Sequence, residues 1–307
     1  MSGLSIKYLN HCLGSEKKHI LEFKNTFSNI EEIRLKTGID FIYKSKKNED
    51  VLELSYRTSK KTLKNFKGKI DCILVVTQTA KNKLPPVSYM LHGKLGLEKN
   101  IICYDLNMGC SGFIYALSLI YSQIKCGFIN NALLVCSDTY TKYIKKTDRS
   151  CGSIFSDAAS SCIITKKESN FNPTFDFLSL GSGYSNLMEK NNVITMNGPE
   201  VFFFTTDLVP KLFDRLIKKS KHKLENIDHF IFHQASKLVL DNLKLKLKIP
   251  TEKFYTNIKN IGNTTSSTIP ILLENLEKKK TIKKNDIIMF LGFGVGLSVA
   301  GYIAKWS

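Results

Sequence analysis

Arginine is nearly missing from this chain. Of 45 basic residues among 307, only Arg34, Arg57, Arg149 and Arg215 are arginine, and the rest are lysine. Proteins that read nucleic-acid bases lean on the planar guanidinium fork, and no such motif is present, so no nucleic-acid partner is expected. Proline is scarce as well, at seven residues against eighteen glycines, which excludes collagen-like and linker-like sequence. No Cys-x-x-Cys pair occurs, so no zinc or other metal site is read. No charged segment followed by an apolar stretch opens the sequence, so no secretory signal is read either. The uncharged run from Ile287 to Ala304 approaches the length of a membrane crossing, but it holds Gly292, Gly294, Gly296 and Gly301. Each glycine costs a helix about 1 kcal/mol relative to alanine. The run reads instead as two short buried strands joined by a glycine turn, with no membrane span.

What is present is globular. The chain is 43% hydrophobic and 23% charged, which excludes a mainly disordered protein. Its length suits two domains of about 150 residues, or one large α/β unit. The eight cysteines (Cys12, Cys72, Cys103, Cys110, Cys126, Cys136, Cys151 and Cys162) sit mostly in apolar runs such as Leu133 to Cys136. They read as reduced thiols of a cytoplasmic protein rather than a disulfide framework. The formal charge of +18 favours anionic partners, either phosphorylated ligands or an acidic protein.

An internal echo organises the chain. Asp71 to Ala80 and Asp228 to Ser236 are both short apolar runs that break into polar residues, as buried strands entering loops do. Asn107-Met108-Gly109-Cys110-Ser111-Gly112 and Asn260-Ile261-Gly262-Asn263-Thr264-Thr265 each lead into an apolar helix, and the strands Ala132–Cys136 and Ile287–Leu291 follow. This predicts an α/β protein of two pseudo-symmetric halves, residues 1–170 and 171–307. Further helices are expected over Glu200–Lys219 and from Ser236 to a point before Pro250.

Buried parallel strands carry ligands at their C-terminal ends. Three loops qualify, around Cys110, His233 and Asn263, and pseudo-symmetry brings them to one place. Cys110 sits just before a helix, whose positive end is expected to lower its pKa and favour the nucleophilic thiolate. His233 follows the apolar Phe230-Ile231-Phe232 at a strand end. Asn263 by itself reads as a turn residue or helix cap. Gly292-Phe293-Gly294-Val295-Gly296 lacks the spacing of a dinucleotide loop and reads as a turn that presents backbone N–H groups to a neighbouring site.

Taken together with Thr37-Gly38-Ile39, Met196-Asn197-Gly198, Gly262-Asn263-Thr264 and His233-Gln234-Ala235, these segments resemble the β-ketoacyl-acyl-carrier-protein synthase III family, over roughly residues 30–305. The resemblance implies a thiolase-like fold of two strand–helix halves, layered α/β/α/β/α. It implies that Cys110 takes an acyl group from a thioester, that the N–H groups of Cys110 and Val295 form the oxyanion hole, and that His233 and Asn263 hydrogen-bond a malonyl thioester. Decarboxylation and attack on acyl-Cys110 then give a 3-ketoacyl product with no permanently bound cofactor. Transfer of the acyl group to a hydroxyl or amine, with His233 as general base, is the alternative. The resemblance further implies that Lys36, Thr37 and Arg149 lie near the nucleotide of acyl-CoA. It assigns Leu84, Phe155, Met196 and Phe202 to the acyl pocket and pantetheine tunnel. Its expected partners are acyl-CoA, an acyl carrier protein and a second copy of the chain in a homodimer.

The chain departs from the family pattern at several points. Glu32 stands where relatives often place a tryptophan, Ser236 replaces an asparagine, and Pro199 replaces a polar residue. Phe203 and Leu238 stand where basic carrier contacts are frequent.

Overall fold

The computed structural model describes residues 2–307. The first sheet is built from β1 (Ser2–Leu13), β4 (Cys72–Val76), β5 (Ile102–Leu106), β6 (Asn131–Asp138) and β7 (Ala158–Glu168). Between its first two strands lie a small antiparallel pair, β2 (Glu16–His19) and β3 (Phe41–Lys44), and the helices α1 (Ile30–Thr37) and α2 (Val51–Lys64). Helix α3 (Val87–Leu95) joins β4 to β5, and α4 (Gly112–Lys125) joins β5 to β6. The second sheet uses β8 (Thr174–Ser179), β11 (His229–Phe232), β12 (Ile287–Gly294) and β13 (Ser298–Lys305). A hairpin of β9 (Leu187–Lys190) and β10 (Val193–Met196) precedes α5 (Gly198–Ser220). Helices α6 (Lys237–Lys246), α7 (Ile258–Ile261) and α8 (Thr268–Lys278) then separate β11 from β12.

The two sheets share one topology. The first runs β1-β7-β6-β4-β5 and the second β8-β13-β12-β11. In each, one strand pair is parallel (β4 with β6, β11 with β12), and β6 and β12 continue antiparallel through β7–β1 and β13–β8, while β5 adds a further parallel strand beside β4. Only β5 lacks a full counterpart. Its place in the second sheet is taken by a single parallel bridge between Phe230 and Phe254.

Alternation along the strands builds the layers. In β4, Cys72, Leu74 and Val76 face a central core with Phe113, Leu117 and Ile120 of α4, whereas Ile73 and Val75 face an outer core under α2 and α3. In β12, Ile288 and Phe290 join the central core, and Met289 and Leu291 pack under α5 and α6. Because α4 and α8 lie between the sheets, most of their residues are buried; α8 is apolar through Ile269-Pro270-Ile271-Leu272-Leu273. The result is the α/β/α/β/α layering.

Local chemistry sets the helix starts near the later site. Asn197 caps α5, its side chain accepting from the Glu200 N–H at 3.4 Å, with Pro199 at the start of the helix. Ser236 caps α6 and accepts from Val239 N–H at 3.3 Å. Helix α1 ends on Gly38, at φ 69°, a left-handed turn that glycine adopts freely. The run Ile287–Ala304 forms the two strands β12 and β13, as the four glycines implied. Among the described residues, no helix is long and apolar enough to cross a membrane.

Candidate active site

Cys110 follows β5 and sits two residues before α4, at the end of the loop Asn107–Ser111. His233 follows β11, and Asn263 lies between α7 and α8. All three line one largely apolar cavity of about 370 Å³, so the three separated loops converge. Of the other residues singled out from the sequence, Lys36, Thr37, Phe155, Met196, Phe202 and Ser236 line the same cavity.

Three expected residues do not, the first being Val295, which lines a second cavity with Gln78 and Tyr140. Leu84 is 83% exposed, on the loop between β4 and α3, and lies outside the wall of this cavity. Arg149 is exposed and outside the cavity wall, although its charge helps hold the Glu32 carboxyl acidic, after Lys36 and Asn29. Glu32 itself pairs with Lys36 at 2.5 Å, so the position where relatives often place a tryptophan carries a surface ion pair. Sequence reasoning also missed cavity residues, among them Ile154, Leu187, Val201, Thr205 and Phe293. Their apolar or small side chains carry no chemical signature, and only the packing of α5, the β9–β10 hairpin, β12 and the loop before β7 reveals them.

The glycine turn is required by close approach. A Cβ on Gly294, at φ 155°, would sit 2.9 Å from both Cβ and Sγ of Cys110. A Cβ on Gly292 would meet Cys110 O and Ser111 Cα at 2.8 Å. The backbone of β12 thus lies directly against the cysteine, and the N–H groups of Cys110 and Val295 both stabilise its thiolate.

That stabilisation does not prevail. Burial, followed by the nearby Asp138 carboxylate, pushes the Cys110 thiol up to about 12. The expected depression by the helix is therefore corrected: at 4% exposure, the cost of placing a charge away from water outweighs the N–H donors and the helix end. Burial drives His233 the other way, down to about 3, so its imidazole is neutral at ordinary pH. Its Nδ1 lies 2.7 Å from the Thr268 hydroxyl, and its ring stands edge-on to Phe293, 5.3 Å between centroids. The Thr268 hydroxyl also reaches Thr265 O at 3.0 Å. When it donates there, it accepts Nδ1–H and leaves the Nε2 lone pair free; when it turns to Nδ1, Nε2 carries the proton. Asn263 has no such freedom. Its Oδ1 accepts from Thr265 N–H at 2.9 Å, which leaves the Nδ2 amide as the free donor.

A buried thiol with two backbone donors at its sulfur, beside a neutral imidazole and an oriented amide in one apolar cavity, suits acyl-thioester chemistry. Comparison with known proteins agrees. Residues 104–181 match the family model of 3-oxoacyl-[acyl-carrier-protein] synthase III, and residues 217–306 match its C-terminal model. The chain belongs to this family. It is 34% identical to a β-ketoacyl-[acyl-carrier-protein] synthase III of Clostridium perfringens, covering 94% of each chain. It is 30% identical to the one from Fusobacterium nucleatum over the whole of both. A crystal structure of a 3-oxoacyl-(acyl-carrier-protein) synthase III superposes with a TM-score of 0.95 at 30% identity, over 99% of each chain. The thiolase-like fold implied by the motifs is thereby established.

Proposed function

We propose that this enzyme condenses an acyl thioester with a malonyl thioester, with loss of carbon dioxide, to give a 3-ketoacyl product in fatty-acid or related acyl-chain synthesis. The observation that carries this reading is the meeting of Cys110, His233 and Asn263 in one cavity, with two backbone N–H groups at the sulfur. The names of the relatives favour condensation over plain transfer to a hydroxyl or amine.

The first half-reaction is thioester exchange. The Cys110 thiol is protonated, so its proton has to leave as sulfur attacks the acyl carbonyl. Neutral His233 accepts it at Nε2 and returns it to the departing thiolate. The N–H groups of Cys110 and Val295 receive the carbonyl oxygen as it becomes an oxyanion, each such donor contributing about 3 kcal/mol. The acyl chain rests among Phe155, Met196 and Phe202, and the thioester arm leaves past Thr37, Ser236 and Lys36. Arg149 adds positive charge near the nucleotide of acyl-CoA.

In the second half-reaction the malonyl carbonyl accepts hydrogen bonds from Asn263 Nδ2–H and His233 Nε2–H, the Thr268 hydroxyl having turned to Nδ1. The bond to the carboxylate breaks, carbon dioxide leaves, and the electron pair forms an enolate held by both donors. Its carbon attacks acyl-Cys110, a carbon–carbon bond forms, and the carbon–sulfur bond breaks. The released thiolate takes one proton from solvent. An apolar cavity favours this sequence, because a carboxylate in poor solvent is lost more readily as neutral gas.

The donors and partners belong to the same proposal. Acyl-CoA supplies the primer, and an acidic acyl carrier protein docks at the cavity mouth, where Leu238 is 51% and Phe203 69% exposed beside the lysines of α5 and α6. The enzyme works as a homodimer joined along β5. That strand is the edge of its sheet, and Leu84, Tyr89 and Ile102 on and beside it are exposed apolar residues. A cytoplasmic setting, where thiols stay reduced, suits a chain whose eight cysteines are all free.

The deciding experiment follows carboxyl-labelled malonyl-CoA and malonyl carrier together with a panel of acyl-CoAs. Labelled carbon dioxide and a product heavier by two carbons are expected. Acyl-Cys110 formation with no carbon dioxide from any malonyl donor would overturn the proposal.

A further inference from the structure

Asp138 ends β6 and is 1% exposed, a carboxylate placed where the strand's apolar run meets the active-site loops. It touches no wall of the cavity. One oxygen, Oδ1, accepts from Gln78 N–H at 2.8 Å and from the Thr79 hydroxyl at 3.1 Å, both in the loop after β4. The other, Oδ2, accepts from the Thr265 hydroxyl at 2.7 Å and the Ser266 hydroxyl at 3.1 Å. The carboxylate therefore ties the loop of the first half to the loop of the second.

Thr265 is the unusual partner. Its φ is 52°, a left-handed backbone that β-branched residues rarely adopt, and it is fully buried. In that conformation its N–H reaches Asn263 Oδ1 at 2.9 Å, and its carbonyl reaches the Thr268 hydroxyl at 3.0 Å, which in turn meets His233 Nδ1 at 2.7 Å. The orientation of the Asn263 amide thus depends on one strained residue, and the bond to Asp138 fixes that residue's side chain. We infer that Asp138, through Thr265, is the positioning residue for Asn263, holding its free Nδ2 donor toward the malonyl carbonyl. The inference rests on the condensing reading above.

Four variants test it, with acyl-Cys110 formation followed by intact-protein mass and decarboxylation followed by labelled carbon dioxide. Thr265→Val removes the hydroxyl but keeps the shape. Thr265→Gly also lacks the hydroxyl, yet takes the left-handed backbone freely. Thr265→Ser keeps the hydroxyl, and Asn263→Ala gives the reference loss. Thr265→Val and Thr265→Gly are expected to lower the ratio of decarboxylation to acyl loading by about tenfold or more, mainly in kcat, because a loosened supporting shell misplaces the donor. Thr265→Ser is expected to restore the wild-type ratio. A wild-type ratio in Thr265→Gly overturns the inference, as does an equal fall of both half-reactions in proportion to lost thermal stability. If the wild-type protein itself releases no carbon dioxide, the condensing reading fails first and the inference falls with it. If wild type decarboxylates and Thr265→Ser behaves like Thr265→Val, the inference alone fails.

Discussion

The two sheets put different chemistry at matching positions. After β4 the first residue is Thr77, and after β11 it is His233. Before α4 stands Cys110, and before α8, in the corresponding Gly-x motif, stands Asn263. One half offers a thiol pressed against glycine backbone, and the other offers two hydrogen-bonding groups, His233 after β11 and Asn263 beside a threonine-rich loop. The helices differ accordingly. The entry to α4 has Gly109 in the loop and Gly112 at the helix start, which admit Gln78, Val76 and the β12 turn at close range. The loop before α8 has Thr264, Thr265, Ser266 and Ser267, all buried; the Thr265 and Ser266 hydroxyls donate to Asp138 and the Ser267 hydroxyl donates to Cys136 O. A repeated scaffold supplies equivalent places, and small local substitutions decide whether a place attacks or donates.

The largest test of this division is Cys110→Ala. Acyl loading should vanish while the fold persists, since the change in volume is small. Acylation that continues, or that maps to Cys103 or Cys136, would place the nucleophile elsewhere.

Next in size are Asn263→Ala and His233→Ala. Losing one enolate donor should cost about 3 kcal/mol, or about a hundredfold in decarboxylation. Asn263→Ala should leave acyl loading nearly intact, whereas His233→Ala should slow loading as well, because the thiol near 12 needs a proton acceptor. Equal profiles for the two variants would erase the distinction between acceptor and pure donor.

A smaller effect comes from the contact between the halves. Gly294→Ala would press a methyl group onto Cys110. Overpacking of this kind costs about 1–3 kcal/mol, and differential scanning calorimetry should register it along with slowed loading. An unchanged melting temperature would mean that β12 does not bear on the cysteine.

The smallest expected effect is a pH dependence. Burial lowers His233 from 6.5 to about 3, so the folded protein binds fewer protons than the unfolded chain between those values. Its contribution is fully present above 6.5 and is lost as pH falls toward 3. Relative to wild type, His233→Asn should therefore gain stability as pH is lowered from 6.5 to 4 in urea titrations. Nitrogen NMR of the wild-type ring should show no protonation between pH 5 and 8, and a midpoint near 6.5 would refute the buried neutral state.

Much of the fold was legible because its signals are local. Buried parallel strands read as continuous apolar runs, as Cys72-Ile73-Leu74-Val75-Val76 does. Four glycines in Ile287–Ala304 separated two strands from a membrane helix. The long first strand, Ser2–Leu13, was not read, since Lys7, Tyr8, Asn10 and His11 break its apolar pattern and its pairing partner β7 lies about 150 residues away in sequence. The small strands β2, β3, β9 and β10 escaped for the same reason: at four residues each, they exist by pairing rather than by propensity.

The sequence by itself determined which side chains could do chemistry. Cys110 between glycines before a helix, His233 at a strand end and Asn263 after Gly262 are properties of short segments. The tertiary structure decided their states. Burial made the thiol hard to ionise and the imidazole neutral, against the helix-end expectation, because desolvation depends on everything packed around a group and not on its neighbours in the chain. It also decided that Leu84 faces outward, that Glu32 pairs with Lys36, and that Asp138 links the loop at Gln78–Thr79 to the remote loop at Thr265–Ser266. Those outcomes need distances between remote residues, and such distances exist only once the two sheets have closed on α4 and α8.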